Sequence, residues 1–309
     1  ILSNFIKGGI IMNFQDMILA LQSYWSKPYE QSRIGNRMGG WCDKMFHYMS
    51  CALSCLKLSE FYPMELITDQ KGEEILVDKI GLPYQSVVKV FDTLDYPTEL
   101  WAIAKIIAYD LQTEAFVHID NDVYMWKPFP DFITKGTLCV QSLEEIYIHN
   151  KLFTAEILDN MEYIPDSIIK QRAKSLDCRS INAGIIGGRD LTFIHEYAKE
   201  AIRFVEQNKD SWNKLKGLNY FNLVFEQYLF YCMAHQQKKE ISYLLTDLKD
   251  TRYRELVRFW DIPNQASYIH TLASYKQHYI IAEQVAQRLW YEYPEYFYRI
   301  HKLIEQNAI

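Results

Sequence analysis

The sequence predicts an α/β fold: a mixed, mostly parallel sheet flanked by helices, with a helical C-terminal extension. Three observations predict it. Short apolar runs alternate with helix-period segments from Leu19 to Ile119. Glycines and acids punctuate the ends of those runs. The chain has 309 residues and is 49% hydrophobic, which suits one large domain over residues 12–309.

The elements follow in order. Residues 19–25 (LALQSYW) read as the first strand, followed by a polar, glycine-containing loop through Ser32-Arg33-Ile34-Gly35 to Gly39-Gly40-Trp41. Lys44 to Leu58 has apolar residues near a 3.6 period and predicts a helix. Met64 to Thr68 is a short strand ended by Asp69, and Asp69 to Gly72 reads as a turn. Glu73 to Ile80 is a helix closed by Gly81. Ser86 to Phe91 is a strand, Glu99 to Leu111 a strongly apolar helix, and Ala115 to Ile119 the strand that runs into Asp120-Asn121-Asp122. Such alternation implies helices on both faces of a parallel sheet, with ligands beyond the carboxyl ends of its strands.

Past Pro130 the pattern is less regular. Leu138 to Gln141 is expected as a strand and Glu144 to Lys174 as a polar helical insertion. Residues 181–188 (INAGIIGG) form a glycine-flanked apolar segment. Asp190 caps a helix whose Leu191, Ile194, Ala198, Ala201 and Val205 make one stripe. Asn219 to Ala234 is apolar nearly all round and is expected at the centre. Pro294 opens an aromatic helix through Tyr296, Phe297, Ile300 and Ile304, expected to pack rather than to dock on a membrane or an acceptor.

The formal charge of -6 argues against a nucleic-acid partner. The six cysteines form no C-x-x-C pair, so free thiols in a reducing cytoplasm are expected. No run approaches the roughly 18 apolar residues a transmembrane helix needs. Residues 1–11 are apolar but short and carry no cleavage site, and a natural start at Met12 is expected, with upstream sequence before it.

Two carboxylates one residue apart at a strand end, Asp120 and Asp122, offer hard oxygen donors for Mn²⁺ or Mg²⁺, which also take diphosphate oxygens. The string alone is weak, but it is bracketed by AFVHI and VYMW, and surface turns are seldom so enclosed. Far downstream stand His270 and Lys276, with Ala273 midway between them. His118 shares a strand face with Asp120 and is expected to be packed and bonded to backbone. Glu226, in an apolar helix, is costly unless paired or used. Either it pairs with Arg33 or Arg37, or it touches sugar hydroxyls or acts as a base, with Asn222 one turn before it on the same face.

At these residues the chain resembles the nucleotide-diphospho-sugar glycosyltransferases of the GT-A fold, especially the glycogenin and bacterial galactosyltransferase-like retaining group. That group carries Asp-x-Asp after a strand, an Asn-x-Gly segment mid-chain, and a late His-x-x-Gly-x-x-Lys. The resemblance implies metal ligation by Asp120, Asp122 and His270, with Asp120 also approaching the nucleotide ribose. It implies Lys276 on the donor diphosphate and Asn182-Ala183-Gly184 along the donor-sugar pocket. Lys105 stands where the group has a donor-contacting Arg, Ala273 where it has Gly, and Gln277-His278 where it has Pro-Trp. The implied activity is metal-dependent, retaining sugar transfer from a UDP-sugar to an unknown acceptor, with Asn182 and Glu226 orienting sugar hydroxyls. An inverting enzyme would need a base, with Glu226 the first suspect. Two alternatives remain: a GT-A-shaped binding or scaffold protein without turnover, and an Asp-x-Asp phosphohydrolase, which would place its motif at the first strand. The chain looks closer still to a bacterial family of GT-A-like proteins with no assigned function. That likeness runs from about Leu19 to Ile300 through Gly39-Gly40-Trp41, Leu100-Trp101, HIDNDVYMWKPFP, NAGIIGG, FEQYLFY and the late YIH.

Overall fold

Apolar runs of four to nine residues become strands because β-branched and aliphatic side chains fill both faces of a sheet covered by helices. The computed structural model describes residues 5–7, 10–12, 17–31, 37–144, 148–174, 179–246 and 250–309, so Arg33 and Cys178 lie outside the described residues. A short antiparallel pair, β1 (Phe5–Lys7) and β2 (Ile10–Met12), precedes the main sheet. Then come β3 (Leu19–Tyr24), α1 (Ser26–Gln31), α2 (Lys44–Ser59), β4 (Met64–Thr68), α3 (Gln70–Glu73) and β5 (Ser86–Lys89). Next are α4 (Ala102–Asp110), β6 (Phe116–Ile119), β7 (Val123–Met125), α5 (Asp131–Thr134) and β8 (Leu138–Glu144). They are followed by α6 (Ile148–Asn160), α7 (Asp166–Lys174), β9 (Ser180–Gly188), α8 (Leu191–Glu206) and α9 (Leu229–Gln236). The chain closes with β10 (Ile241–Tyr243), β11 (Tyr268–His270), α10 (Tyr279–Glu292) and α11 (Pro294–Glu305).

Among the described residues the main sheet has seven strands in the order β10-β8-β9-β6-β3-β4-β5. All pairings are parallel except those of β9, which runs against β6 and β8. The expected mostly parallel sheet with helices on both faces and a C-terminal helical extension is therefore what the chain forms. Strand alternation splits the core in two. Ala20, Met64 and Leu66 face one cluster with α2 and α10, while Leu21 and Ile67 face the other with α4, α8 and α9. The chain leaves β3 towards β4 and β5 on one side and returns with β6 on the other, so the sheet order reverses between β3 and β6. That is the position at which an open α/β sheet opens a crevice.

Several boundaries differ from expectation for identifiable reasons. Asp69 does more than end a strand: it caps α3 by accepting from the Gly72 N–H at 2.7 Å. It also accepts from the Ser26 N–H and hydroxyl at 2.8 Å each, which starts α1 where a loop was expected. Glu74 to Lys79 is wound as a π-turn before Gly81 (φ +80°) closes it. β8 continues past Gln141 through a bulge to Glu144, so Glu144 is a buried strand residue rather than the start of the insertion, which itself splits into α6 and α7. The C-terminal aromatic helix packs as expected, with Ile300 fully buried and Tyr296, Phe297 and Ile304 against the same cluster. Cys42, Cys51, Cys55 and Cys139 are free thiols. No helix among the described residues is long and apolar enough to cross a membrane.

Candidate metal centre

The two acids stand where β6 ends. Its four residues are buried, and Asp120 to Asp122 make the turn into β7, with the Val123 N–H donating to the Asp120 carbonyl at 3.0 Å. Asn121 fastens this turn to β3 by donating its amide to the Ser23 carbonyl at 2.9 Å. The Ser50 hydroxyl of α2 donates to the Asn121 carbonyl at 2.8 Å. The acids are thus presented by a turn tied to a central strand and a helix.

A second, two-stranded ladder brings the chain's far end to them. β11 pairs antiparallel with β7, with His270 opposite Val123. The next residue, Thr271, donates its N–H at 3.0 Å and its hydroxyl at 3.1 Å to the Asp122 carbonyl, 149 residues away in sequence. His270 Nε2 lies 3.5 Å from Asp122 Oδ1. One ligand atom from each of Asp120, Asp122 and His270 lies within 4.8 Å of the others. The expected three-residue cluster is therefore formed in space.

Its donor set fits a divalent cation, and Gln141 is the reason. The Gln141 Oε1 accepts from the Tyr268 hydroxyl at 2.6 Å and from His270 Nδ1 at 2.6 Å. That bond keeps a proton on Nδ1 and turns Nε2 towards Asp122, the ring nitrogen a metal would take in place of a proton. Gly184 makes room for the arrangement: a Cβ there would lie 2.5 Å from His270 Cε1 and 2.6 Å from Gln141 Oε1. Gln141→Leu is expected to lower Mn²⁺ affinity by about 10- to 100-fold, read by calorimetry, with an unchanged circular-dichroism spectrum.

Lys276 already places a cation on the site, its Nζ 2.5 Å from Asp122 Oδ2. Burial works against the Asp122 carboxylate, but Lys276 and His270 outweigh it and hold the acid well below the usual carboxylate range. The lysine is supported by Gly39-Gly40-Trp41. Gly40 takes φ +83°, and a Cβ there would sit 3.4 Å from the Lys276 stem, while the Cys42 N–H donates to the Lys276 carbonyl at 3.3 Å. Ala273, where the resembled group has glycine, takes φ +50°. The loop keeps a left-handed turn at the cost of strain, so Ala273→Gly is expected to raise stability by up to about 1 kcal/mol, read by urea denaturation.

Lys105 answers the question left open at Glu226. Its ammonium lies 2.6 Å from Glu226 Oε1 and 2.9 Å from Asp120 Oδ1, so among the described residues the partner of Glu226 is Lys105 and not Arg37, while Arg33 lies outside the described residues. Arg37 is exposed. Burial opposes the charge on Lys105, yet its two carboxylates win and raise its pKa. Burial raises the Glu226 pKa, and one ammonium shared with Asp120 only partly counters that. Among the described residues Glu226 Oε2 has no hydrogen-bond partner, and Oε1 also accepts from the Tyr109 hydroxyl at 3.3 Å. The expected continuous helix is wound as a π-turn over Leu223–Tyr228, a feature common at functional sites, with the Tyr197 hydroxyl bonded to the Glu226 carbonyl at 2.6 Å.

The remaining expected residues settle differently. Asn182 donates to Glu144 Oε1 at 2.8 Å and accepts from the Gly184 N–H at 3.0 Å, so its amide is spent within the protein. β9 runs antiparallel, which carries Asn182-Ala183-Gly184 past the end of β6, where the Asp120 N–H donates to the Gly184 carbonyl at 3.0 Å. Asn222 braces the backbone of Glu99 and Ala102 rather than sharing a task with Glu226. His118 bonds the Ser23 hydroxyl at 2.9 Å, a side chain rather than backbone. Burial keeps it neutral, its pKa well below the ordinary value.

In front of the acids opens a cavity of about 700 Å³, lined among others by Ser23, Tyr29, Trp101, Lys105, Asp122 and Lys276. Asn182, Gly184, Glu226 and His270 are not among the residues that line it. Sequence reasoning missed Gln141 and Tyr268. The polar Gln141-Ser142 pair inside the apolar run of β8 was the available signal for Gln141.

No curated protein matches the chain. A model of a family of unknown function, DUF6734, matches residues 18–303, and the chain belongs to that family.

Proposed function

We propose that the protein is a metal-dependent glycosyltransferase that moves a sugar from a nucleoside-diphosphate donor, UDP by resemblance, to an acceptor. The observation that carries this reading is the convergence of Asp120, Asp122 and His270, with Lys276 on the same acid, at the edge of a cavity beyond the sheet's carboxyl end. Two carboxylates and an imidazole nitrogen suit Mn²⁺ or Mg²⁺. When bound, such an ion would neutralise the charge that grows on a diphosphate leaving group.

The chain's own residues divide the remaining work. Lys276 exchanges the Asp122 carboxylate for the donor's diphosphate, a compact charge on a flexible stem that can follow the leaving group. Lys105 fixes the Asp120 carboxylate from behind, using Glu226 as its second anchor. Glu226 is fully buried and engaged, so it is poorly placed to serve as a base for an acceptor hydroxyl. This supports transfer with retention, where no strong base is required. Asn182 and Gly184 brace the turn at Asp120, the Gly184 carbonyl accepting the Asp120 N–H and Asn182 accepting the Gly184 N–H.

Calorimetry with UDP in the presence and absence of Mn²⁺ tests the proposal. Metal-dependent UDP binding, followed by UDP release from a UDP-sugar, is the expected result. No metal-dependent binding would overturn the reading, and binding without hydrolysis or transfer would mark a scaffold that holds the nucleotide without turnover.

A further inference from the structure

Among the described residues that line the cavity, Trp101 is the one large hydrophobic side chain that stands exposed. It stands at the start of α4, 41% exposed, and its side chain makes no capping bond to the helix. An indole left in water forgoes the gain that burial brings to most aromatic rings. Its position is nevertheless fixed. Fully buried Asn222 donates to the Glu99 carbonyl at 2.6 Å and accepts from the Ala102 N–H at 3.0 Å, gripping the backbone on both sides of Trp101.

One helical turn on, the Lys105 ammonium lies 5.7 Å from the Trp101 ring centroid and 2.9 Å from Asp120 Oδ1. Ring and metal-site carboxylate thus share one ammonium, and a group resting on the ring adjoins whatever rests on Asp120. Thr98, Glu99 and Asn219 line the same cavity, on two short turns that pack against each other. They supply a hydroxyl, an exposed carboxylate and an amide.

That pairing of a partly exposed aromatic ring with flanking polar groups suits a pyranose. The ring C–H bonds of a sugar meet the negative face of the indole, and its hydroxyls meet the polar groups. A lipid chain in the same place would strip water from the Glu99 carboxylate without replacing it. Resting on the glycosyltransferase reading, we propose that Trp101 is the stacking platform of the acceptor subsite and that the acceptor is a carbohydrate, with Thr98, Glu99 and Asn219 taking its hydroxyls.

Protein labelled with 5-fluorotryptophan tests this, the Trp101→Phe variant assigning the fluorine resonance of Trp101. Maltotetraose, cellotetraose, chitotetraose and lactose are titrated in turn with Mn²⁺ and UDP present. At least one is expected to move the Trp101 resonance, and Trp101→Ala should weaken its binding by about tenfold or more. Silence with all four sugars overturns the proposal. So does an equal shift produced by UDP-glucose alone, which would give the ring to the donor sugar. Calorimetry with UDP and Mn²⁺ on the same sample reads the transferase proposal separately. Intact UDP binding with a silent Trp101 sinks only the carbohydrate subsite, whereas sugar binding at Trp101 without UDP binding sinks only the transferase.

Discussion

Asp122→Asn is expected to remove metal-dependent UDP binding, lowering Mn²⁺ affinity by more than the roughly 100-fold seen when a ligand's supporting residue is lost. The substitution keeps the size of the side chain and the backbone carbonyl that Thr271 uses, so the β7–β11 ladder should survive. It removes the carboxylate to which His270 and Lys276 are both directed. A thermal scan gives an independent readout. Mn²⁺ at about 100 times its dissociation constant stabilises the native state by about 2.7 kcal/mol, worth roughly 5 °C in melting temperature. The variant should show no such rise, and an unchanged rise would remove Asp122 from the metal shell. The pH dependence has a definite sign. A depressed carboxylate pKa contributes stability that is present above the unfolded value and is lost as the pH falls below it. The acid side of the metal-free protein's stability profile should therefore flatten in Asp122→Asn.

Lys105→Met is expected to destabilise the protein by about 3–5 kcal/mol, because it strands the Glu226 carboxylate in the core. Side-chain exposure is 8% for Lys105 and 1% for Glu226, so water cannot replace the lost partner. Adding Glu226→Gln should recover much of that stability, since a neutral amide costs less to bury than an unpaired charge. Function should not return with it, because Asp120 would still lack the ammonium that orients it. Urea denaturation of the single and double variants gives the coupling energy. If Lys105→Met costs less than about 1 kcal/mol, the buried pair is not the anchor described above.

Much of this was legible in the sequence, and the limits have physical causes. Strands β3, β4, β6 and β9 announce themselves as apolar runs bounded by acids and glycines, because both of their faces are buried. β7, β10 and β11 have three residues each, too short for any periodicity to appear. The π-turn at Glu226 has the composition of an ordinary helix, so nothing in its spacing separates it from one. At the site, Asp120, Asp122, His270 and Lys276 are legible through the residue pattern of the resembled group, and their convergence agrees with it. The Lys105–Glu226 pair joins residues 121 apart, a contact that local pattern cannot report. Gln141 was hidden for the same reason, since its function depends on a histidine 129 residues away. Ala273 shows the opposite case. Standing where the resembled group has glycine, it takes the left-handed backbone that glycine would have taken without strain.

The β7–β11 ladder also bears on the order in which the molecule becomes competent. The seven-stranded sheet is complete by β10, before β11 and its histidine have been reached along the chain. Closing the long loop between Asp122 and Thr271 must be met in entropy before the three residue pairs of that ladder give anything back. A chain that has built its sheet but not docked β11 therefore holds both acids and no imidazole. On the proposed reading, competence to bind the ion would be the last property acquired, and the first to go when that ladder opens.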